Sequence, residues 1–176
     1  MPTVLDQMPF LEIAGEVVVR GERVRVRANQ IILWVSLTRR SVRAPNPSAI
    51  PFPVILDTGH THSLSLQERH LVMWAGLRPE SLSELRQIRE RNVRIPLLAA
   101  NIWVHANVRG TRERLADRPA YLIKAQQGIA VYRDGDFPRL PILGLRAIAE
   151  NKLVLTVDGK RRLATLRTAI RWWPFG

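Results

Sequence analysis

An all-β, single-domain fold with one or two short helices is predicted by three features of these 176 residues. Apolar and charged residues alternate with a period of two in several short segments, the pattern of a half-buried strand. Gly, Pro and Asp-Gly turn signals recur between those segments. Hydrophobic residues make up 46% and charged residues 24%, enough for one full core in a chain too short for two large lobes.

Val17-Val18-Val19-Arg20-Gly21-Glu22-Arg23-Val24-Arg25-Val26-Arg27 alternates about a Gly-containing turn and predicts a β-hairpin, so residues 1–30 read as an N-terminal hairpin extension. Ile31 to Leu37 predicts a more completely buried strand. Arg39 to Pro53 carries Pro45, Pro47, Pro51 and Pro53 and must be a loop, because each proline removes a ladder donor. Pro53-Val54-Ile55-Leu56 is a short apolar strand running straight into Asp57-Thr58-Gly59. Leu64-Ser65-Leu66 reads as a strand, Gln67 to Leu77 has helical spacing with a stop at Gly76, and Ser81 to Arg91 fits strand or helix. Asn92 opens a β-rich stretch, Val93 to Leu98 and Asn101 to His105, before a polar insertion, Val108 to Pro119, expected to be mobile. Ile129 to Tyr132 is a strand and Asp134-Gly135-Asp136 a turn. Leu140 to Gly144 is an apolar strand ending at glycine, Leu145 to Asn151 a short helix, and Leu153 to Leu166 a hairpin about Asp158-Gly159. Residues 169–176 form an aromatic tail containing Trp172, Trp173 and Phe175.

The absence of cysteine excludes a disulfide scaffold, thiol catalysis and cysteine-ligated metal sites. No apolar run approaches the roughly 18 residues a membrane span needs, and Met1 to Asp6 has no leader pattern, so a cytoplasmic location is expected. The net charge of +12 raises nucleic acid as a partner. The arginines, however, alternate with Val and Ile as on the solvent face of a strand, and no nucleic-acid-binding motif accompanies them. Specific nucleic-acid binding is not expected.

Asp57-Thr58-Gly59 alone is a weak signal, since Asp and Gly are common turn residues. Its context is stronger: an apolar strand leads into it, and a second apolar strand ending Ile142-Leu143-Gly144 precedes a short helix and a final hairpin. Over most of residues 31–168 that order resembles the retropepsin-like aspartic peptidases. The resemblance implies a closed β-barrel subunit in a two-fold homodimer that hydrolyses polypeptide without a cofactor or metal. It implies Asp57 as the catalytic carboxylate, Thr58 as a hydrogen-bonding partner of the mate's loop, and Gly59 as the source of a close turn with backbone donors near the acid. Ile142, Leu143 and Gly144 would brace the loop, and a substrate-covering flap would fall within Asn92 to Pro119. One loop per chain means that the second carboxylate comes from a symmetry-related Asp57.

The sequence departs from the family pattern at His60, where the family usually has a small residue, and in its first 30 residues and the Val108 to Pro119 segment. An imidazolium at position 60 would perturb the paired acids. The alternatives are an ordinary turn at Asp57, or a catalytically inactive or basic dimeric β-barrel that binds a protein or nucleic acid. His60, His62 and His70 have no clear metal geometry, and Asp134 and Asp136 lack the rest of a calcium loop. Trp34 and Trp103 belong in the core, whereas Trp74 reads as more open.

Overall fold

The structure is a computed structural model that describes residues 3–169, so Trp172, Trp173 and Phe175 of the aromatic tail lie outside the described residues. Among the described residues, fourteen strands in three sheets carry the fold. β1 (Thr3–Pro9) pairs antiparallel with β14 (Leu163–Thr168), which pairs with β13 (Leu153–Asp158). The first strand therefore belongs to a terminal sheet, and only β2 (Gly15–Val19) and β3 (Glu22–Val26) form the separate hairpin foreseen about Gly21.

The large sheet contains β4 (Ile31–Arg39), β5 (Phe52–Asp57), β6 (Leu64–Gln67), β7 (Glu84–Glu90), β8 (Val93–Leu98), β9 (Ala100–His105), β10 (Tyr121–Lys124), β11 (Ile129–Tyr132) and β12 (Ile142–Gly144). Their spatial order is β10-β9-β4-β5-β12-β6-β11-β8-β7. β10 and β7 stay unpaired edges, so the closed barrel implied by the resemblance does not form among the described residues. Closure would need those outer strands to pair, and they lie at opposite ends of a nine-stranded order. The all-β class holds: among the described residues helix is limited to a π-helical turn (His70–Trp74), a 3-10 turn (Pro79–Ser81) and α1 (Leu145–Glu150). Among the described residues no helix is long and apolar enough to cross a membrane.

β4 is buried along nearly its whole length, as expected of a continuous apolar run placed centrally in a sheet. One main core runs from Val4 and Leu5 on β1 to Leu166 on β14, with Phe52, Leu64 and Leu143 fully buried at its centre. Trp74 is also buried, stacked on His70 at 4.4 Å, because the π-helical turn folds back against Phe52. The segment following β9 is held rather than loose. Asn107 Nδ2 donates to the Asp6, Val108 and Thr111 carbonyls, and Trp34 Nε1 donates to the Arg112 carbonyl at 2.8 Å. The last hairpin turns through four residues rather than a two-residue Asp-Gly turn, since Asp158 pairs with Leu163. Asp158 Oδ1 caps that turn by accepting from the Arg161 N–H.

Candidate active site

β5 delivers Asp57 to the surface, while Leu56 and Val54 behind it are buried. β12 lies parallel beside β5, with Ile142 opposite Ile55, Leu143 opposite Leu56 and Gly144 opposite Asp57. β12 also pairs antiparallel with β6, and β6 pairs parallel with β11. The strands before and after the acidic loop are thus interleaved with two strands from far along the chain. This brings together the Asp57 and Gly144 motifs that the sequence marks separately.

Gly144 is obligatory for a packing reason. A Cβ at this position would stand 2.2 Å from the His62 carbonyl oxygen and 2.5 Å from that of His60. The loop closes over the glycine through Leu145 N–H to the His60 carbonyl and Gly144 N–H to the Ser63 carbonyl. Arg146 Nε adds a bond to the Thr61 carbonyl at 2.9 Å. Within the loop, the Gly59 N–H donates to Asp57 Oδ1 at 2.8 Å and the His60 N–H to the Asp57 carbonyl at 3.2 Å. Asp57, Thr58 and Gly59 are all exposed, and Asp57 Oδ2 has no partner among the described residues.

Residues that sequence reasoning passed over complete the surroundings. β7 and β8 form a hairpin in which Glu90 pairs with Val93, and its two turn residues, Arg91 and Asn92, both have positive φ, +45° and +66°. That is the two-residue turn whose twist matches flanking strands. Glu90, Arg91, Val93 and Ile95 from the hairpin face Gly59, His60 and Thr61 across a cavity of about 430 Å³. The segment opposing the loop therefore begins at β7, inside the stretch that fitted strand or helix, and not at Asn92. Most of the Asn92 to Pro119 region lies elsewhere, in β9 and the loop held against β1.

Glu90 joins the hairpin to the loop. Its Oε1 lies 2.8 Å from His62 Nε2, and its Oε2 accepts from the Tyr132 hydroxyl at 3.0 Å. The hydrogen bond from His62 draws the Glu90 carboxyl below its usual range. Burial, then Glu90's bond and charge, push the Tyr132 hydroxyl up to about 12. His60 Nε2 lies 2.7 Å from the Ser65 hydroxyl. Burial and the neighbouring His62 pull the His60 imidazole below its ordinary range, against the opposing charges of Asp57 and Glu90. Burial thus favours the neutral ring of His60 over the imidazolium considered from the sequence. No local signal could have found Glu90, since its partners are 28 and 42 residues away.

A second cavity, about 390 Å³, contains Asp57 itself, with Arg25, Arg27, Phe137 and Arg139 on its walls. The sequence assigned Arg25 and Arg27 to a solvent face without seeing what they face. His60 and His62 meet edge to face at 5.5 Å, but His70 stacks on Trp74 away from them. Among the described residues no group of three or more His, Asp or Glu is placed to hold a metal. Asp134 and Asp136 act as turn residues: Asp134 Oδ1 accepts from the Arg69 N–H and the Asp136 carbonyl from the Gln67 amide. Compared with protein-family models, with curated proteins and with solved structures, the chain has no match.

Proposed function

We propose that this chain is one subunit of a homodimeric, retropepsin-like aspartic endopeptidase. The observation carrying this reading is the exposed Asp57 carboxylate at the end of a buried strand, braced by Gly144 and held on one oxygen by the Gly59 N–H. The second oxygen is open, as half of a two-carboxylate site requires. Hydrolysing a peptide bond without an activated side-chain nucleophile needs one group to take a proton from water and another to give one to the carbonyl oxygen. Two carboxylates a few ångströms apart do both, because repulsion makes them share a proton and titrate as a unit. Asp57 from each of two chains would supply the pair. Thr58 would cross-link the two loops, and the Gly59 N–H would orient the acid. The β7–β8 hairpin would serve as the cover, closing over a bound peptide from the Gly59–Thr61 side. Val154 and Val157, half exposed on the outer strand of the terminal sheet, are compatible with a subunit contact there.

The test is cleavage of a mixed peptide library by wild type and Asp57→Asn protein from about pH 4 to 8, with a pepstatin-type inhibitor as control. Loss of at least about a hundredfold in cleavage rate in the variant is the expected result. Absence of cleavage by folded, dimeric wild type would instead favour an inactive binding dimer. The +12 charge is the observation behind that second reading, and salt-dependent oligonucleotide binding indifferent to Asp57→Asn would establish it.

A further inference from the structure

The cavity containing Asp57 continues into a neighbouring one of about 450 Å³, the two sharing Arg25, Arg139 and Leu140. Arg23 and Arg25 sit two apart on β3, so the pleat turns both to one side, and Arg27, just past the strand, lines the Asp57 cavity with Arg25. Arg139 approaches from the segment before β12. Among the described residues the guanidinium groups of Arg25, Arg27 and Arg139 have no carboxylate partner. The acidic residues of the adjoining cavity are occupied: Asp134 accepts from the Arg69 backbone, and Glu22 from Trp74 Nε1 at 3.3 Å. The trough running away from Asp57 thus carries three exposed guanidinium groups without an ion-pair partner among the described residues, those of Arg25, Arg27 and Arg139, against a partly apolar floor of Ile55, Leu140 and Ile142.

We infer that the trough beside Asp57 takes an extended polypeptide bearing acidic side chains, held by Arg25, Arg27 and Arg139. Same-face side chains on an extended peptide repeat every two residues, roughly 7 Å, as do Arg23 and Arg25 on β3. Guanidinium groups hold carboxylates through paired hydrogen bonds. A nucleic acid fits less well, because single strands are held by stacking on aromatic rings and, among the described residues, Phe137 is the one ring lining the trough. This inference rests on the peptidase reading for the direction of the peptide past Asp57, but binding can be measured apart from cleavage.

The experiment uses full-chain Asp57→Asn protein and two fluorescein-labelled peptides, one with Glu at alternate positions and one with Gln in their place, followed by fluorescence anisotropy. Binding of the Glu peptide at least about tenfold tighter, with a gap that narrows as salt rises, is expected. The gap should vanish in the Arg25→Gln/Arg139→Gln variant and persist in Arg25→Lys/Arg139→Lys, with thermal unfolding confirming that both variants fold. Equal affinity for the two peptides would overturn the inference even if wild type cleaves both. Displacement of the Glu peptide by a single-stranded oligonucleotide that binds more tightly would also overturn it, assigning the trough to nucleic acid. Preference for the Glu peptide without cleavage by wild type would uphold the acidic ligand and overturn the peptidase reading.

Discussion

Single side chains set the polarity around Asp57. Glu90 accepts from Tyr132 and meets His62, so Glu90→Gln should lower the Tyr132 titration from about 12 toward the ordinary tyrosine range without reaching it, because burial remains. Spectrophotometric titration of the two tyrosines checks this: an unmoved late transition would show that Glu90 contributes nothing. The Glu90 carboxyl is drawn below its usual range in the folded protein, so its contribution is present above about pH 4.5 and fades as pH falls through the lowered value. Glu90 is partly exposed, and the effect on global stability should be small. Resistance of the hairpin tip to limited proteolysis should fall in the same acidic window in wild type, and should be low at every pH in Glu90→Gln. Of this site the sequence disclosed Asp57, Thr58 and Gly59, because a strand-terminating acid before glycine is a local pattern. It did not disclose Glu90 or Tyr132, whose roles exist only across strands.

At the scale of elements, the loop and β12 form one unit. Gly144→Ala drives a Cβ into the His60 and His62 backbone carbonyls, the first of them held by the Leu145 N–H, and should cost about 3 kcal/mol in denaturant unfolding. Gly59→Ala meets only Asp57 Oδ1 at 3.2 Å, so it should be milder for stability while disturbing the acid. A reversed ranking would mean that β12 does not brace the loop. The apolar runs of β4, β5, β8, β9, β11 and β12 were legible because each carries its own pattern of burial. β7 was not: Glu84–Glu90 is almost wholly exposed, and strand geometry there comes from pairing with β8 rather than from its own hydrophobicity. The four-residue turn after β13 was missed because the Asp-Gly signal leaves loop length open.

Across the whole molecule, folding buries His70 against Trp74 with Nε2 unpartnered, and burial first, then the adjacent Arg69 charge, lowers its pKa to about 4. The unfolded chain therefore takes up that proton before the folded one. Stability is full above about pH 6.5 and should fall by about 3 kcal/mol as pH drops toward 4. His60 and His105, also lowered by burial, act in the same direction. Urea midpoints between pH 7 and about 4 should drop less steeply in His70→Gln than in wild type, and parallel curves would remove His70 as the cause. Under the dimeric proposal, specific activity should fall on dilution when subunits associate weakly, since each site needs two chains.

By itself the sequence determined the all-β class, the succession of short strands, the main hairpins and the acid at the end of β5. Period-two alternation and turn chemistry are written into neighbouring residues. The tertiary structure alone decided that the sheet stays open among the described residues, that a glutamate 28 residues on reaches His62, and that a row of arginines faces Asp57. Those pairings join distant segments, and what selects them is the shared burial of one core, which no single stretch of chain contains.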